Sequence, residues 1–380
     1  MTDWLDWPFF EDGHRVLAAK LAEWSHINIG ESHSDDVDAA CRSLVASLGQ
    51  AGFLKLCVSD GDKLPDVRSL AIARATLARA SGLADFAFAM QGLGSGAISI
   101  SGSDKQKAEW LPKVASGDAI AAFALTEPET GSDAANITMR AERTAGGWEL
   151  TGEKSYISNG TIADVLTVFA RTGTPEEGAR GISAFIVRGD DPGLTVAERI
   201  EVIAPHPLAR LNFDGVCAEL LGTEGEGFRI AMQTLNLFRV TVGAAALGFA
   251  QRALDEALAF TTTRRLGSGV LADNPVTWDK LAGMKLAVDA TALLVARAAW
   301  DQDRGVADNR RAAAMAKLHA TEEAQKVIDA AVQLHGGIGV TKGAKVEELY
   351  REIRALRIYE GASEVQRMVI ARDLLKEHGR

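Results

Sequence analysis

The sequence predicts an α+β protein with three consecutive parts: an N-terminal helical domain over residues 1–119, a middle antiparallel β domain over 120–222 and a C-terminal helical domain over 223–380. Apolar residues recur every three or four positions in the first and last parts, and at every second position in the middle one. Too few helical segments separate the middle strands for βαβ units, so a parallel α/β fold is not expected.

Composition limits the possible partners. The chain has 380 residues, 47% of them hydrophobic, and a net charge of −10, which is typical of a globular protein and argues against a nucleic-acid-binding surface. Its three cysteines, Cys41, Cys57 and Cys217, lack the spacing of metal ligands. We therefore expect reduced thiols and no metal site.

No membrane association is expected from the sequence. The N-terminus lacks the basic and apolar regions of a signal peptide. The apolar run Val240–Ala250 stops at Gln251 and Arg252, short of the roughly 18 residues that span a bilayer. We predict a cytoplasmic protein.

In the first domain, helical spacing is followed by a segment rich in small residues, Ser81–Ser101. No strand precedes its glycines, so a nucleotide-binding loop is a weak interpretation, and a helix that packs closely or lines a pocket is favoured. Ser103 and Asp104 are typical of a helix start for Lys105–Leu111, which we expect to end before Pro112.

Seven strands, separated by glycine- and asparagine-containing turns, are predicted for the middle domain. They are Ala121–Leu125, Ile137–Arg143, Trp148–Thr151, Val165–Ala170, Ile182–Val187, Leu194–Ala197 and Leu208–Phe213.

Helical spacing then returns. Phe228–Thr263 forms one long helix or two stacked ones, Lys280–Asp303 and Arg310–Leu334 form two more, and the last helix begins after Gly361. Alanine dominates these segments, as expected where helices approach one another closely.

The candidate catalytic residue is Glu360, within the stretch RIYEGASEVQR. It lies between apolar Ile358 and Tyr359 and a turn of small residues. Burial against an apolar wall would raise the carboxyl pKa and make the group a usable base near neutral pH. A solvated glutamate at the positive end of a helix dipole is the alternative.

Four other stretches carry polar or glycine-rich patterns: LTEPETGSD at 125–133, KSYISNG at 154–160, QLHGGIGV at 333–340, and the arginine pair at 264–265. Each has an ordinary explanation as a loop, a hairpin, a helix C-cap or solvated charge. Each also offers donors for a flat heteroaromatic ring or for a phosphate.

Taken together, these motifs resemble the acyl-CoA dehydrogenases over nearly the full length and in the same order. The matching stretches are FALTEPETGSD, KSYISNG, LGTEGEGF, QLHGGIG and RIYEGASEVQR. One such match is weak, but several in register identify the family resemblance.

The resemblance implies an FAD enzyme of acyl-CoA catabolism, with FAD held between the middle domain and the C-terminal helices and completed by a neighbouring subunit of a homodimer or homotetramer. The implied cofactor-binding residues are Phe123, Leu125, Thr126, Ser132, Tyr156, Ile157, Ser158, Arg264, Gln333, Gly336, Gly337 and Ser363. The implied substrate-binding residues are Ser132, Asn236, Arg239, Gly361 and Arg372.

It also implies the chemistry. Glu360 would take the α-proton of an acyl-CoA thioester while a hydride leaves the β-carbon for flavin N5, which gives a trans-2-enoyl thioester. Donors would stabilise the charge that forms on the carbonyl oxygen, and an electron-transfer flavoprotein would accept the electrons, docking on the side of Tyr156.

The sequence departs from the family pattern at several positions. Ala362 replaces the usual hydroxyl residue, whose hydrogen bond to the cofactor we expect to be lost or shifted to Ser363. Pro275 and Asn236 replace a usual amide donor and a frequent aspartate, and the stretch RRLGSG is contracted.

Other functions on the same fold stay open at this stage. They are an acyl-carrier-protein-linked dehydrogenase, a CoA-thioester desulfinase, and a flavin oxidase or monooxygenase. A flavin-poor binding or scaffold subunit is an alternative of another class, suggested by Ala362 and Pro275.

The acyl group is not fixed by the sequence. Gly92, Gly94 and Gly96, with neighbouring small residues, lie on the helix that closes the acyl end of the pocket in relatives. They could leave room for a branched, cyclic or polycyclic acyl group. Close helix packing is the other explanation.

Overall fold

The computed structural model describes residues 4–30, 36–306 and 308–379. Its helices are α1 Asp12–Asn28, α2 Val37–Gln50, α3 Val67–Ala80, α4 Gly82–Ser101, α5 Asp104–Ser116, α6 Gly227–Thr263, α7 Pro275–Asp303, α8 Arg310–His335, α9 Lys345–Leu356 and α10 Ser363–Glu377. Its strands are β1 Ala121–Ala124, β2 Arg140–Thr144, β3 Gly147–Ser158, β4 Val165–Arg171, β5 Ile182–Arg188, β6 Leu194–Arg199, β7 Leu208–Leu221, β8 Arg265–Leu266 and β9 Gly269–Val270.

The chain divides into two compact units. The helical unit comprises Met1–Glu31, Asp66–Asp85 and Arg239–Arg380, and the sheet unit comprises Ser32–Pro65 and Phe86–Phe238. The predicted order of helices, strands and helices is confirmed, and so is the α+β class. The three-domain boundaries drawn from the sequence stay a prediction.

The sheet unit is built on a seven-stranded sheet of order β1-β4-β2-β3-β7-β5, with β6 also paired to β7 and β4 to β5. Most of the pairs are antiparallel, as predicted. β1, however, runs parallel to β4, with Ala121 opposite Val165. The parallel pairing of β1 with β4 was not predicted from the sequence, because parallel partners are far apart in the chain and no turn signal joins them.

Strand β4 explains part of the core. All its residues are buried, with Val165 and Phe169 in one apolar cluster and Leu166, Val168 and Ala170 in another. A strand covered on both faces is read from the sequence as a continuous apolar run. The first cluster also contains side chains of α4 and α5, so these helices cover one face of the sheet.

Helix α5 does not end at Pro112, contrary to the prediction. Ser103 caps it as expected, its hydroxyl accepting from the backbone N–H of Gln106 at 3.3 Å. The helix continues through the proline to Ser116, with Leu111 and Val114 buried on either side. Packing of this apolar face offsets the lost backbone hydrogen bond.

The helical unit fixes the start of α3 to the end of α7. The Asp303 carboxylate accepts from the backbone N–H groups of Val67 and Arg68 at 2.7 and 3.0 Å, and from Arg68 Nε at 2.8 Å. The first-turn N–H groups of α3 are thereby satisfied by a residue distant in sequence. This interaction places α3, which carries Arg74, within the unit.

By length and composition α6 could cross a membrane, but 72% of its most apolar window is buried. The core helices of globular proteins have the same property. Its apolar character is therefore weak evidence for a membrane segment.

The three cysteines are free. Cys41 and Cys57 are buried and Cys217 is exposed. Burial raises the pKa of the Cys41 thiol to about 12.

Gly94 shows why α4 is rich in small residues. A Cβ built on Gly94 would lie 2.6 Å from the backbone of Ala121 and Ala122 in β1, and Thr167 donates to the Gly94 carbonyl at 2.8 Å. Close packing of the helix on the sheet therefore requires glycine at this position.

We predict that Gly94→Ala lowers the free energy of unfolding by about 1–3 kcal/mol, because the contacted backbone cannot move without disturbing the sheet. Gly13→Ala, at an exposed helical position with open space around it, is the control and should change stability by less than about 1 kcal/mol. Chemical denaturation measures both. Equal effects of the two substitutions would contradict the packing argument.

Candidate active site

Glu360 lies in the turn between α9 and α10 and has a left-handed backbone, with φ of 52°, followed by Gly361 with φ of 92°. A glutamate rarely adopts this conformation, which costs about 1–3 kcal/mol and persists only where the surroundings hold it. Tight control of the backbone here marks the turn as a candidate functional element.

The Glu360 carboxylate is not a solvated group at a helix end. The residue is half-buried, and its Oε2 atom is buried without a hydrogen-bond partner among the described residues. The solvated interpretation is therefore wrong. The unpaired oxygen is available to accept a proton from a ligand.

Charged side chains of four helices surround this carboxylate within the helical unit. Arg74 of α3, Arg239 of α6 and Lys317 of α8 are the cations that act on Glu360, and Asp85 of α4 is the anion. Arg74 forms a bidentate pair with Asp85, from Nε at 2.9 Å and Nη2 at 2.8 Å, and donates to the Thr241 hydroxyl at 3.2 Å.

The pKa of Glu360 is raised above its ordinary value because burial disfavours the charged form. Arg74, Lys317 and Arg239 act in the opposite sense, and Asp85 adds to the effect of burial. Burial wins. The carboxyl is consequently a stronger base than a solvated glutamate, and the cations limit how far its pKa rises.

Residues after Glu360 are placed by contacts inside the chain. Ala362 is the N-cap of α10 and has no side chain to cap it, consistent with the missing hydroxyl noted in the sequence. Ser363, the residue expected to compensate, is buried and donates its hydroxyl to Glu322 at 2.5 Å, and Glu322 also accepts from Arg357 at 3.1 Å. The Ser363 hydroxyl already donates its hydrogen bond within the chain, so the geometry does not support Ser363 as a hydrogen-bond donor to the cofactor.

In the sheet unit, the loop after β1 and the end of β3 lie side by side. Ser155 donates its backbone N–H to the Thr126 carbonyl at 2.9 Å, and the buried Lys154 ammonium donates to the Leu125 carbonyl at 2.9 Å. Two of the motifs found in the sequence are thus brought into contact.

A buried ion pair fixes the same loop. Lys154 donates to Glu127 at 2.9 Å, and Glu127 also accepts from the backbone N–H groups of Thr138 at 2.6 Å and Met139 at 2.9 Å. Burial lowers the pKa of Lys154 to about 8, so the ammonium is ionised at neutral pH. The charge of Lys154 lowers the pKa of Glu127, against the effect of burial.

The predicted flavin residues of the sheet unit divide into two groups. The side chains of Leu125 and Ile157 are buried in apolar clusters, and Phe123 packs on Phe169 with ring centroids 4.9 Å apart, so Leu125 and Ile157 can reach a ligand only through backbone groups. The residues with accessible polar groups are Thr126, Ser132, Tyr156 and Ser158.

These accessible groups suit the polar edge of a flavin. The hydroxyls of Thr126, Ser132 and Ser158 make no hydrogen bond within the described parts of the chain. Tyr156 is exposed and left-handed, with φ of 56°, at an irregularity in the β3–β7 pairing. Hydroxyls without a partner among the described residues, together with a strained aromatic residue, fit a planar, hydrogen-bonding cofactor.

The remaining predicted cofactor-binding residues, Arg264, Gln333, Gly336 and Gly337, lie in the helical unit. Arg264 follows the end of α6 and is exposed, and Gln333, Gly336 and Gly337 are exposed at the end of α8. Gly336 is the C-cap of α8 with φ of 59°, and a Cβ on Gly336 or Gly337 would meet nothing within 4 Å. Both the C-cap interpretation and the ligand interpretation fit this geometry. Pro275 is the first residue of α7.

The substrate-side residues are separated along the chain. Asn236 and Arg239 lie three residues apart on α6, and the side chain of Arg239 is largely removed from solvent. Arg372 is exposed near the end of α10.

The small residues of α4 leave no open space. A Cβ on Gly92 or Gly96 would lie 2.6 or 2.7 Å from the ring of Phe238, which is itself buried on α6. Phe238 therefore occupies the space beside Gly92 and Gly96. The close-packing explanation is the correct one for Gly92, Gly94 and Gly96.

Sequence reasoning missed the residues that support the site. Arg74, Asp85, Lys317 and Phe238 belong to none of the motifs, and Lys154, the first residue of KSYISNG, was given no role. Only their burial and their partners single them out. A charged residue inside an alanine-rich helical pattern was the one available signal for Arg74 and Lys317.

Comparison with known proteins identifies the family. The family profile "Acyl-CoA dehydrogenase, N-terminal domain" matches residues 13–118, the middle-domain profile matches 122–216 and the C-terminal-domain profile matches 225–375. The chain belongs to the acyl-CoA dehydrogenase family. It is therefore an oxidoreductase of this family, and FAD is its cofactor.

Individual relatives cover nearly the whole chain. An acyl-CoA dehydrogenase of Bacillus subtilis is 37% identical over 87% of this chain and 89% of its own length. A 3-(aryl)acrylate reductase of Clostridium sporogenes is 34% identical over 97% and 100%. The structure of butyryl-CoA dehydrogenase from Megasphaera elsdenii matches with a TM-score of 0.87 and 30% identity, over 96% and 99%.

We predict that Lys154→Met lowers the free energy of unfolding by about 3–5 kcal/mol, because it leaves the Glu127 carboxylate buried without its counter-ion. Adding Glu127→Gln should recover part of this loss. Denaturation of the two single variants and the double variant completes a double-mutant cycle. Additive effects would mean that the pair does not hold the loop.

Proposed function

We propose that this acyl-CoA dehydrogenase oxidises an acyl-CoA thioester at its α and β carbons to the trans-2-enoyl thioester, with Glu360 as the base. The observation that carries the proposal is the buried, unpartnered Oε2 atom of Glu360 among cations that limit its pKa. A carboxylate so placed can take a weakly acidic proton and hold it.

The chain's own residues have distinct tasks in this reaction. Glu360 accepts the α-proton, and preorganised backbone donors stabilise the charge that forms on the thioester carbonyl oxygen. Thr126, Ser132 and Ser158 supply hydroxyls to the cofactor, and Arg239 supplies positive charge on the substrate side. FAD, when bound, accepts the β-hydride.

Several alternatives raised by the sequence are now weaker. Family membership excludes a scaffold without enzymatic chemistry. The carboxylate base favours proton abstraction over monooxygenation. Passage of electrons to an electron-transfer flavoprotein, a homodimeric or homotetrameric assembly and a cytoplasmic location are further parts of the proposal, which rest on the resemblance and on composition.

The full-length match to a 3-(aryl)acrylate reductase favours one second candidate, reduction of a 2-enoyl compound. In that direction Glu360 would be protonated and would deliver the proton to the α-carbon. Flavin reduction by saturated thioesters, set against flavin reoxidation by their 2-enoyl counterparts, separates the two directions.

Phe238 bears on the size of the acyl group. The resemblance places α4 at the acyl end of the pocket, where the Phe238 ring occupies the space beside Gly92 and Gly96. This packing, together with the similarity to a butyryl-CoA dehydrogenase, supports a short acyl chain as the substrate.

Glu360→Gln should lower the rate of flavin reduction by acyl-CoA at least about 10²-fold, because it keeps the shape of the side chain and removes the proton acceptor. Glu23→Gln, which changes an exposed carboxylate on α1, is the matched control and should react at the wild-type rate. Stopped-flow bleaching of the flavin measures both. Wild-type kinetics in the Glu360 variant would refute its role as the base.

Phe238→Ala should raise kcat/KM for longer acyl-CoAs relative to butyryl-CoA by about tenfold or more, since each methylene accommodated is worth about 1–3 kcal/mol. Phe88→Ala, another buried aromatic truncation on α4, controls for loss of stability and should leave the preference unchanged. A panel of straight-chain thioesters provides the measurement. An unchanged preference in the Phe238 variant would remove this residue from the acyl pocket.

A further inference from the structure

The backbone at Glu360 and Gly361 needs external support. Two consecutive residues with positive φ are the pattern of a type I′ turn, which favours asparagine, aspartate and glycine, and here the first residue, with φ of 52°, is a glutamate. A Cβ on Gly361 would lie 2.4 Å from Gln366 Nε2, so a larger residue there would displace the Gln366 side chain. The conformation of the turn is therefore coupled to the position of Gln366.

Two buried donors meet on one carbonyl oxygen of this turn. Lys317 Nζ donates to Gly361 O at 2.8 Å, and Gln366 Nε2 donates to the same oxygen at 2.9 Å. Both side chains are fully buried. Both side chains donate a hydrogen bond to the Gly361 carbonyl, but only Lys317 carries a charge.

Lys317 also belongs to the electrostatic surroundings of the base. Burial lowers the pKa of Lys317 to about 8, with Glu360 acting to raise it and Arg239 to lower it further. The ammonium is thus ionised at neutral pH. Its charge lies on α8, close enough to the Glu360 carboxylate to favour the ionised form of that group.

We propose that Lys317 is a positioning residue for the base: it fixes the left-handed turn through the Gly361 carbonyl, and it keeps a positive charge beside the Glu360 carboxylate. The inference rests on the proposed function of Glu360, and it assigns to one buried lysine both the direction and the ionisation of that side chain.

Other charged or titratable groups also surround Glu360 or Lys317, and they are the same in the wild type and in every Lys317 variant. They are Arg74 on α3, Asp85 on α4, Arg239 on α6 and Tyr359 in the turn itself, with Glu322 and Glu364 acting on Lys317. Arg74 is already paired to Asp85 at 2.8 Å. Removal of Lys317 therefore takes away one of three cations and leaves the remaining arrangement in place.

The test compares Lys317→Met, which removes a hydrogen bond to the Gly361 carbonyl together with a charge, with Gln366→Met, which removes the hydrogen bonds from Gln366 Nε2 to the Gly361 and Glu360 carbonyls and no charge. The protonation of Glu360 is followed in the substrate-free holoenzyme by the infrared carboxyl band that Glu360→Gln abolishes. In Lys317→Met this band should titrate about one pH unit higher than in the wild type, because a nearby opposite charge is lost. In Gln366→Met and Lys317→Arg the titration should stay at the wild-type pH.

Flavin reduction measures the hydrogen-bonding part of the role. Both Lys317→Met and Gln366→Met should lower its limiting rate, and only Lys317→Met should move the acid limb of the pH profile upward. If Lys317→Met does not fold, Lys317→Gln provides the same titration, since it keeps a shorter donor without the charge.

An unshifted carboxyl titration on removal of the lysine charge overturns the electrostatic part of the proposal, and so does an equal shift in Gln366→Met. Wild-type flavin reduction in both methionine variants overturns the hydrogen-bonding part. Failure of the proposed function would look different: flavin reduction would survive Glu360→Gln, while the infrared titration would still respond to Lys317.

Discussion

The structure depends on the balance of charge around one half-buried carboxylate. Burial raises the pKa of the Glu360 carboxyl, whereas full solvation would leave the group a weak base. Arg74, Arg239 and Lys317 oppose the effect of burial from three different helices, while Asp85 restrains Arg74 through a bidentate pair. Helices α3, α4, α6 and α8 must therefore pack closely around buried polar groups, and their alanine-rich composition permits this approach.

The sheet unit solves a related problem with a different interaction. The motif residues predicted to bind flavin in this unit lie in a loop and at the end of a strand, neither of which would keep a defined shape alone. The Lys154–Glu127 pair, buried and bonded to three backbone groups of the loop and the following segment, fixes them. In both units a buried lysine donates to a backbone carbonyl next to a candidate site residue, Lys154 to Leu125 and Lys317 to Gly361.

Much of the fold was accessible from sequence because its elements are long and regularly patterned. The period of three to four residues located α6, α7 and α8, and the period of two located the strands. The errors have local physical causes. The sequence predicts a helix end at Pro112, but packing of the apolar face lets α5 continue to Ser116. The pairing of β1 with β4 was not predicted, because these parallel strands are far apart in the chain.

The sequence by itself determined the class of protein and the order of its elements, because short motifs with unusual glycines and carboxylates are readable as linear patterns. Tertiary structure alone decided which side chains surround Glu360 and how closely α4 is packed. Lys317 and Arg74 meet Glu360, and Phe238 closes on Gly92 and Gly96, through contacts between residues far apart in the chain. Such contacts leave no local pattern, since they depend on the distances between packed helices.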